Sequence, residues 1–231
     1  MAFTAITPYQ LKESPYSSHS LLLASLPASG NGRRVLDVGC ASGYFGALLA
    51  GRGYRVTGID SPGAARSGFP ESIELLEADL DLGLPHLTDR FDFVVCADVL
   101  EHLRRPAILL RDLRAVLAPG GRLAASLPNS GHAYFRWNVL TGRFPAHDRG
   151  LFDRTHLHFY TWRGWLDLFH TCGFRIETVR SSGVPIGLAL PKWEGSARVR
   201  ALERMSYESA RWWKNMFAYQ FIVTAAPETE S

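Results

Sequence analysis

Short apolar runs rich in β-branched residues alternate along the chain with stretches whose apolar positions recur every three to four residues. That alternation is the pattern of a parallel sheet covered by helices. Strand-like runs fall at 34–38 (RVLDV), 55–59 (RVTGI), 73–77 (IELLE), 91–97 (FDFVVCA), 121–127 (GRLAASL), 174–180 (FRIETVR) and 219–225 (YQFIVTA). Helical spacing predicts elements at 44–52, 103–118 and 161–171, with Gly120 and Gly121 stopping the second and Gly173 the third. "SLLLASLPASG" at 20–30 reads as a buried helix before the first strand, since no basic segment precedes it and its apolar run is short. Two stretches exceed ordinary loops, 128–160 and 182–217. In open α/β sheets ligands lie beyond the carboxyl ends of the strands, so the insertion after the fifth strand should roof a site.

Composition narrows this picture. With 231 residues, 46% of them hydrophobic, the chain is expected to form one domain: an N-terminal helical lid over 1–30, the substrate-side insertion and a helical insertion before the last strand. A net charge of +3 does not call for a nucleic-acid partner. Three cysteines without paired spacing point to reduced thiols and a cytoplasmic location, and no run reaches membrane-spanning length.

Candidate chemistry begins at "VLDVGCASGYFG", residues 35–46. A strand runs into a turn of small residues and then a helix, so that backbone at Gly39, Ala41 and Gly43 can approach a nucleotide-like ligand closely. Asp60 ends the second strand, where a carboxylate can take both hydroxyls of a ribose. Asp79 ends the third, where it either reads an adenine amino group or caps the turn that follows. The spacing G-x-x-x-G-x-x-G differs from the G-x-G-x-x-G that wraps a pyrophosphate.

With "VTGID", "EADL", "FDFVVCADVLEHL" and "LAPGGRLAASLPN" following in order, the chain resembles the class I S-adenosylmethionine-dependent methyltransferases over residues 18–181. The resemblance implies a Rossmann-like α/β fold with a seven-stranded, mostly parallel sheet, helices on both faces and an antiparallel last strand, which "FAYQFIVTA" supplies. It implies that Asp37 and the turn Gly39, Cys40, Ala41, Gly43 and Tyr44 hold the methionine part of the cofactor. Asp60 and Ser61 would take the ribose, Asp79 and Leu80 the adenine, and Ala97 and Asp98 the cofactor edge. Ala41 stands where the family places its central glycine.

A hydroxyl acceptor must lose a proton, to a general base or with the help of a metal. His102, His156 and His158 are the candidates. Asp98, Glu101 and His102 share one helical face if the helix starts that early. A similar acid-x-x-Glu-His pattern binds a divalent ion in ubiquinone-biosynthesis O-methyltransferases and in small-RNA terminal-ribose methyltransferases, so a metal on Asp98, Glu101, His102 and His156 is an option, not adopted here. "GLFDRTHLHFYT" resembles a "GLLDRTHLRFFT" pattern of bacterial methyltransferases of glycan and natural-product assembly. On that pattern Gly150, Leu151, Asp153, Thr155, His156, Phe159 and Thr161 match, while His158 replaces an arginine. His156 is therefore the leading base, His102 the second, and His158 a control. Asp153 either orients His156 or serves a local capping role. Tyr134, Phe135, Trp137 and Phe144 with Arg136 and Arg143 form either an acceptor pocket or a packed helix. "RVRALERMSYESARWWKNMFAYQF" reads as a core-packing helix or as one resting on a membrane or partner.

The resemblance favours methyl transfer to an oxygen of a small molecule, sugar or glycan precursor. An N-methyltransferase, a nucleotide-sugar or dinucleotide oxidoreductase, and a non-catalytic cofactor-binding module stand as alternatives.

Overall fold

A computed structural model describes residues 14–63, 68–193 and 195–228. The first part of the lid expected over 1–30 falls outside these residues. The first helix is α1 (Ser18–Leu23), capped by the Ser17 hydroxyl, which accepts from the Ser20 amide at 3.2 Å. β1 (Arg34–Val38), α2 (Tyr44–Gly51), β2 (Arg55–Asp60), β3 (Ile73–Glu77) and β4 (Phe91–Ala97) follow at almost the read bounds. Then come α3 (Pro106–Val116), β5 (Leu117–Pro128), α4 (Ala133–Leu140), α5 (Trp162–Thr171) and β6 (Phe174–Ser181). The chain closes with α6 (Ile186–Ala189), α7 (Ala197–Trp212), α8 (Lys214–Phe217) and β7 (Gln220–Pro227).

The strands form one seven-stranded sheet in the order β3-β2-β1-β4-β5-β7-β6. β3, β2, β1, β4 and β5 run parallel, and β7 lies antiparallel to both β5 and β6. Strand alternation splits the core in two. Leu36, Val94 and Leu123 point to the face covered by Leu109 and Leu113 of α3 and by Trp165 and Phe169 of α5. Val35, Val95, Ala124 and Ile222 point to the face covered by α1 and α2. Chain order reverses between β1 and β4, and in an open sheet the carboxyl ends flanking such a switch point are where a ligand is held.

Two bounds differ from the sequence reading. The helix expected over 103–118 is shorter, because Pro106 at its first turn fixes the start and residues Leu100–His102 form a separate 3-10 turn. It ends at Val116, before Gly120 and Gly121, because Leu117 already pairs with Phe91. Gly120, at φ 79, serves the turn inside the long β5 instead. The helix expected within 20–30 lies earlier, at Ser18–Leu23.

Candidate active site

Three left-handed residues shape the turn after β1: Gly39 at φ 70, Ala41 at φ 48 and Gly43 at φ 76. Gly39 and Cys40 amides donate to the Ile59 carbonyl at 2.8 and 3.2 Å, which seats the turn on the end of β2. A side chain at Gly39 would come within 2.5 Å of Val99 Cγ2, and one at Gly43 within 2.7 Å of Pro70 Cδ. Ala41 tolerates a conformation that costs an L-residue about 1–2 kcal/mol. Its amide donates to Asp60 Oδ2 at 2.7 Å, an interaction that offsets part of this cost. Asp60 thus clamps the turn, and its Oδ1 accepts from the Ser61 amide at 2.7 Å. A carboxylate has about four acceptor positions, so room remains for a ligand hydroxyl.

Asp37 lies under the turn, 2% exposed, and its Oδ2 has no hydrogen-bond partner among the described residues. Burial pushes its carboxyl up to about 7, opposed by the Gly46 amide and reinforced by Asp60. A buried carboxylate oxygen without a donor beside an open backbone turn suits an ammonium group, so the residues fit the amino-acid end of S-adenosylmethionine. Tyr44 bonds through its hydroxyl to His19 Nε2 at 2.7 Å, tying α1 to the first residue of α2. Cys40 is buried, with its thiol pushed up to about 12 by burial and by Asp37 and Asp60, which makes it a packing residue. Asp79 makes the capping contact: it is exposed and its Oδ1 accepts from the Asp81 amide at 3.0 Å, at the start of the 3-10 turn Leu80–Leu82, while a carboxylate keeps further acceptor positions for a ligand.

On the opposite side, residues 153–155 form a turn, the His156 amide donating to the Asp153 carbonyl at 3.1 Å, and residues 156–160 then run along the 3-10 turn. Leu157 and His158 amides both donate to the Glu101 carbonyl, at 2.8 and 3.2 Å. His156 and His158, two apart in extended backbone, both face inward between exposed Leu157 and Phe159, yet they meet different partners. His158 Nε2 donates to the Leu103 carbonyl at 2.9 Å, and its ring stacks on Tyr160. His156 Nε2 stands 3.9 Å from Glu101 Oε1, and its ring meets that of His102 at 4.8 Å between centroids. Glu101 is 1% exposed, and its Oε2 has no partner among the described residues. Burial, and then the nearby Asp98, push the Glu101 carboxyl well above the usual carboxylate range. Burial, and then His102, hold His156 down at about 4. Burial thus favours the uncharged form of both groups.

Asp153 is engaged locally. Its Oδ1 accepts from the Thr155 amide at 2.8 Å and from the Thr155 hydroxyl at 2.6 Å, rather than from the His156 ring. The Thr155 hydroxyl, its proton given to Asp153, receives His102 Nδ1–H at 3.0 Å. That relay leaves His102 Nε2 with a lone pair, so Asp153 orients His102 through Thr155.

Asp98 does not join Glu101 and His102 on a helical face. It sits at φ 56, and its Oδ1 accepts from Ser126 Oγ at 2.5 Å and Gln220 Nε2 at 2.7 Å. Among the described residues, Glu101, His102 and His156 are brought together, with donor atoms within 4.8 Å of one another. Each of the three offers one ligand atom to an ion, while Asp98, the fourth of the set read from the sequence, is spent on Ser126 and Gln220. With His156 serving as a base and not as a ligand, exhaustive chelation should leave turnover unchanged, which a rate measured before and after chelator treatment checks.

Phe135 and Phe152 stack at 4.5 Å, with Phe144 edge-on to both, forming a small cluster with Leu151 against Tyr219. Phe135 thus packs α4, while Tyr134, Trp137 and Phe144 stay exposed. Tyr219 escaped the sequence reading. Its hydroxyl lies so close to Gly150, at φ 90, that a side chain there would meet it at 2.5 Å. Burial and then Asp98 push that hydroxyl up to about 12. Gln220 and Ser126 escaped too, because strand periodicity marks them only as sheet positions.

A protein-family model described as a methyltransferase domain matches residues 10–179. A ubiquinone biosynthesis O-methyltransferase of Xanthomonas euvesicatoria pv. vesicatoria is 29% identical over 217 residues, 88% of this chain and 81% of that protein. One of Aeromonas salmonicida is 36% identical over 107 residues, covering 42% of this chain and 44% of its own. Several of these curated relatives are matched over only about half of their length. In fold, the chain is similar to an S-adenosylmethionine-dependent methyltransferase from Mesorhizobium loti, with a TM-score of 0.59 at 24% identity over 90% of this chain and 97% of that one. Since the family model spans the glycine turn, both strand-end acids and the roof, this chain belongs to the methyltransferase-domain family.

Proposed function

We propose that the protein transfers the methyl group of S-adenosylmethionine to a hydroxyl oxygen of a small molecule. The observation that carries this reading is His156, its side chain buried and held down at about 4, placed 3.9 Å from the buried Glu101 on the acceptor side of a turn shaped for the cofactor. When bound, S-adenosylmethionine supplies an electrophilic methyl on a positively charged sulfur. Gly39 to Gly43 would hold its amino-acid end with Asp37 facing the ammonium, and Asp60 the ribose. The acceptor O–H proton passes to His156 as the oxygen–carbon bond forms and the sulfur–carbon bond breaks. A histidine held down at about 4 is unprotonated and ready to accept at neutral pH, with Glu101 Oε1 3.9 Å from its Nε2. His102 Nε2, oriented through Thr155 and Asp153, is the second acceptor of that proton.

The exposed roof aromatics Tyr134, Trp137 and Phe144 favour an acceptor with an apolar face, such as a phenol or a sugar ring. The relatives' O-methyltransferase names support oxygen over nitrogen as the atom methylated. Three buried cysteines, unpaired among the described residues, support a reducing, cytoplasmic setting. Turnover across phenols, sugars and amines, read as S-adenosylhomocysteine release, tests the reading: hydroxyl acceptors should turn over, and activity on amines alone would overturn it.

Asp37 adds a pH signature. In the free protein its carboxyl titrates near 7, and it must be ionised to pair with an ammonium. Binding then requires proton loss below that pH. Affinity for S-adenosylhomocysteine should weaken by up to about tenfold per pH unit below 7. Asp37→Asn should bind more weakly and lose the dependence, as calorimetric titration at several pH values would show.

A further inference from the structure

α7 carries two stripes. One packs on the body: Val199, Glu203 and Ala210 are buried, with Glu203 Oε1 accepting from the Gly187 amide at 3.1 Å. Ser206 Oγ accepts from the Val184 amide, and Tyr207 stacks on Tyr16 of the N-terminal segment at 4.7 Å. Along the other side, Arg198, Leu202, Met205, Ser209 and Trp212 recur at helical spacing and all are exposed. Met205 is 65% exposed and Trp212 80%, with Trp213 and Trp193 exposed at the helix ends. Singly exposed apolar residues are ordinary, but a row of them along a 16-residue helix is not. Arg200, Arg204 and Arg211 form a second exposed row, roughly 100° or more round the helix from the first, and Lys192 and Lys214 lie beyond the ends of the helix. Against these, among the described residues of 192–214, stand only Glu208, which pairs with Arg211, and the buried Glu203. Among the described residues no helix is long and apolar enough to cross a membrane, so contact with a bilayer through α7 would be interfacial.

We propose that the outer face of α7 docks on an anionic lipid surface, with Leu202, Met205 and Trp212 entering the headgroup boundary and the arginines meeting lipid phosphates. An exposed side that carries an apolar row and a separate arginine row, with tryptophans at its ends, has the chemistry of an interfacial helix. Charge decides between a bilayer and a second copy of the chain. Two copies meeting on this face would set arginine rows against each other with fewer acids than basic residues to offset them, whereas anionic lipid supplies the missing charge. The helix also spans little more than two heptads, short of what a self-pairing seam needs.

Cosedimentation of the full chain with vesicles of phosphatidylcholine, with and without phosphatidylglycerol, tests this. Binding should require phosphatidylglycerol and weaken as salt is raised. Leu202→Ala/Met205→Ala/Trp212→Ala should lower the partition coefficient roughly 10–100-fold. Its melting temperature and S-adenosylhomocysteine affinity should not change. Arg198→Glu/Arg204→Glu, which leaves the apolar stripe intact, should also lose binding. Failure of the wild type to sediment with anionic vesicles, equal binding to neutral ones, or variants that bind like wild type would each overturn the proposal. So would a wild-type dimer in sedimentation velocity that the triple variant dissociates, since the occupant would then be a second copy.

Discussion

His156→Ala should lower kcat on a hydroxyl acceptor by roughly 10²–10⁴-fold. Affinity for S-adenosylhomocysteine should stay within about twofold, because the ring lies on the roof and not in the glycine turn. A hydroxyl attacks poorly while it keeps its proton, and His156 is the buried, neutral imidazole poised to take it. His158→Ala is the control: its ring is spent on the Leu103 carbonyl and on Tyr160, so it should cost some stability and little kcat. Single-turnover rates for the two variants separate base from scaffold. Equal losses in both would remove His156 from the role. The pH profile carries the same sign: a base held near 4 is lost only as pH falls toward that value. At saturating cofactor kcat should therefore hold its plateau down to about pH 5.

Gly39→Val should weaken S-adenosylhomocysteine binding by roughly 10²–10³-fold. Valine at φ 70 is strained by about 1–2 kcal/mol. Its side chain would also enter space where even a Cβ lies 2.5 Å from Val99 Cγ2, adding overpacking of about 1–3 kcal/mol. Val99 opens the 3-10 turn that bears Glu101 and His102, so relief of the clash displaces the acceptor side as well. Calorimetric binding with a parallel melting curve distinguishes a deformed turn from a misfolded chain; an unaltered affinity would show that the turn does not touch the cofactor.

The strands were legible because β1 and β4 are short apolar runs buried between two helical layers, where composition and burial agree. The cofactor side was legible for a related reason: Gly39, Ala41 and Gly43 fall within five residues, and β2 returns Asp60 to them in parallel register. The acceptor side was not. Asp153 and His156 are sequence neighbours and looked like partners, but Thr155, between them, captured the carboxylate. His156 instead finds Glu101, fifty-five positions earlier, through a backbone docking that no periodicity encodes. "DVLEHL" has helical spacing, yet Asp98 leaves the helical region at φ 56 and is held by Ser126 and by Gln220 from the far end of the chain. Contacts made across the sheet's carboxyl edge depend on tertiary closure, which a linear pattern does not record.

The central claim is methyl transfer from S-adenosylmethionine to oxygen. It is tested most directly by incubating the protein with a hydroxyl-bearing acceptor and S-adenosylmethionine labelled in its methyl group, then locating the label in the product by mass spectrometry and NMR. The account predicts one labelled methyl on the acceptor oxygen for each S-adenosylhomocysteine formed. Label on nitrogen or carbon, or S-adenosylhomocysteine formed without a methylated product, would contradict it.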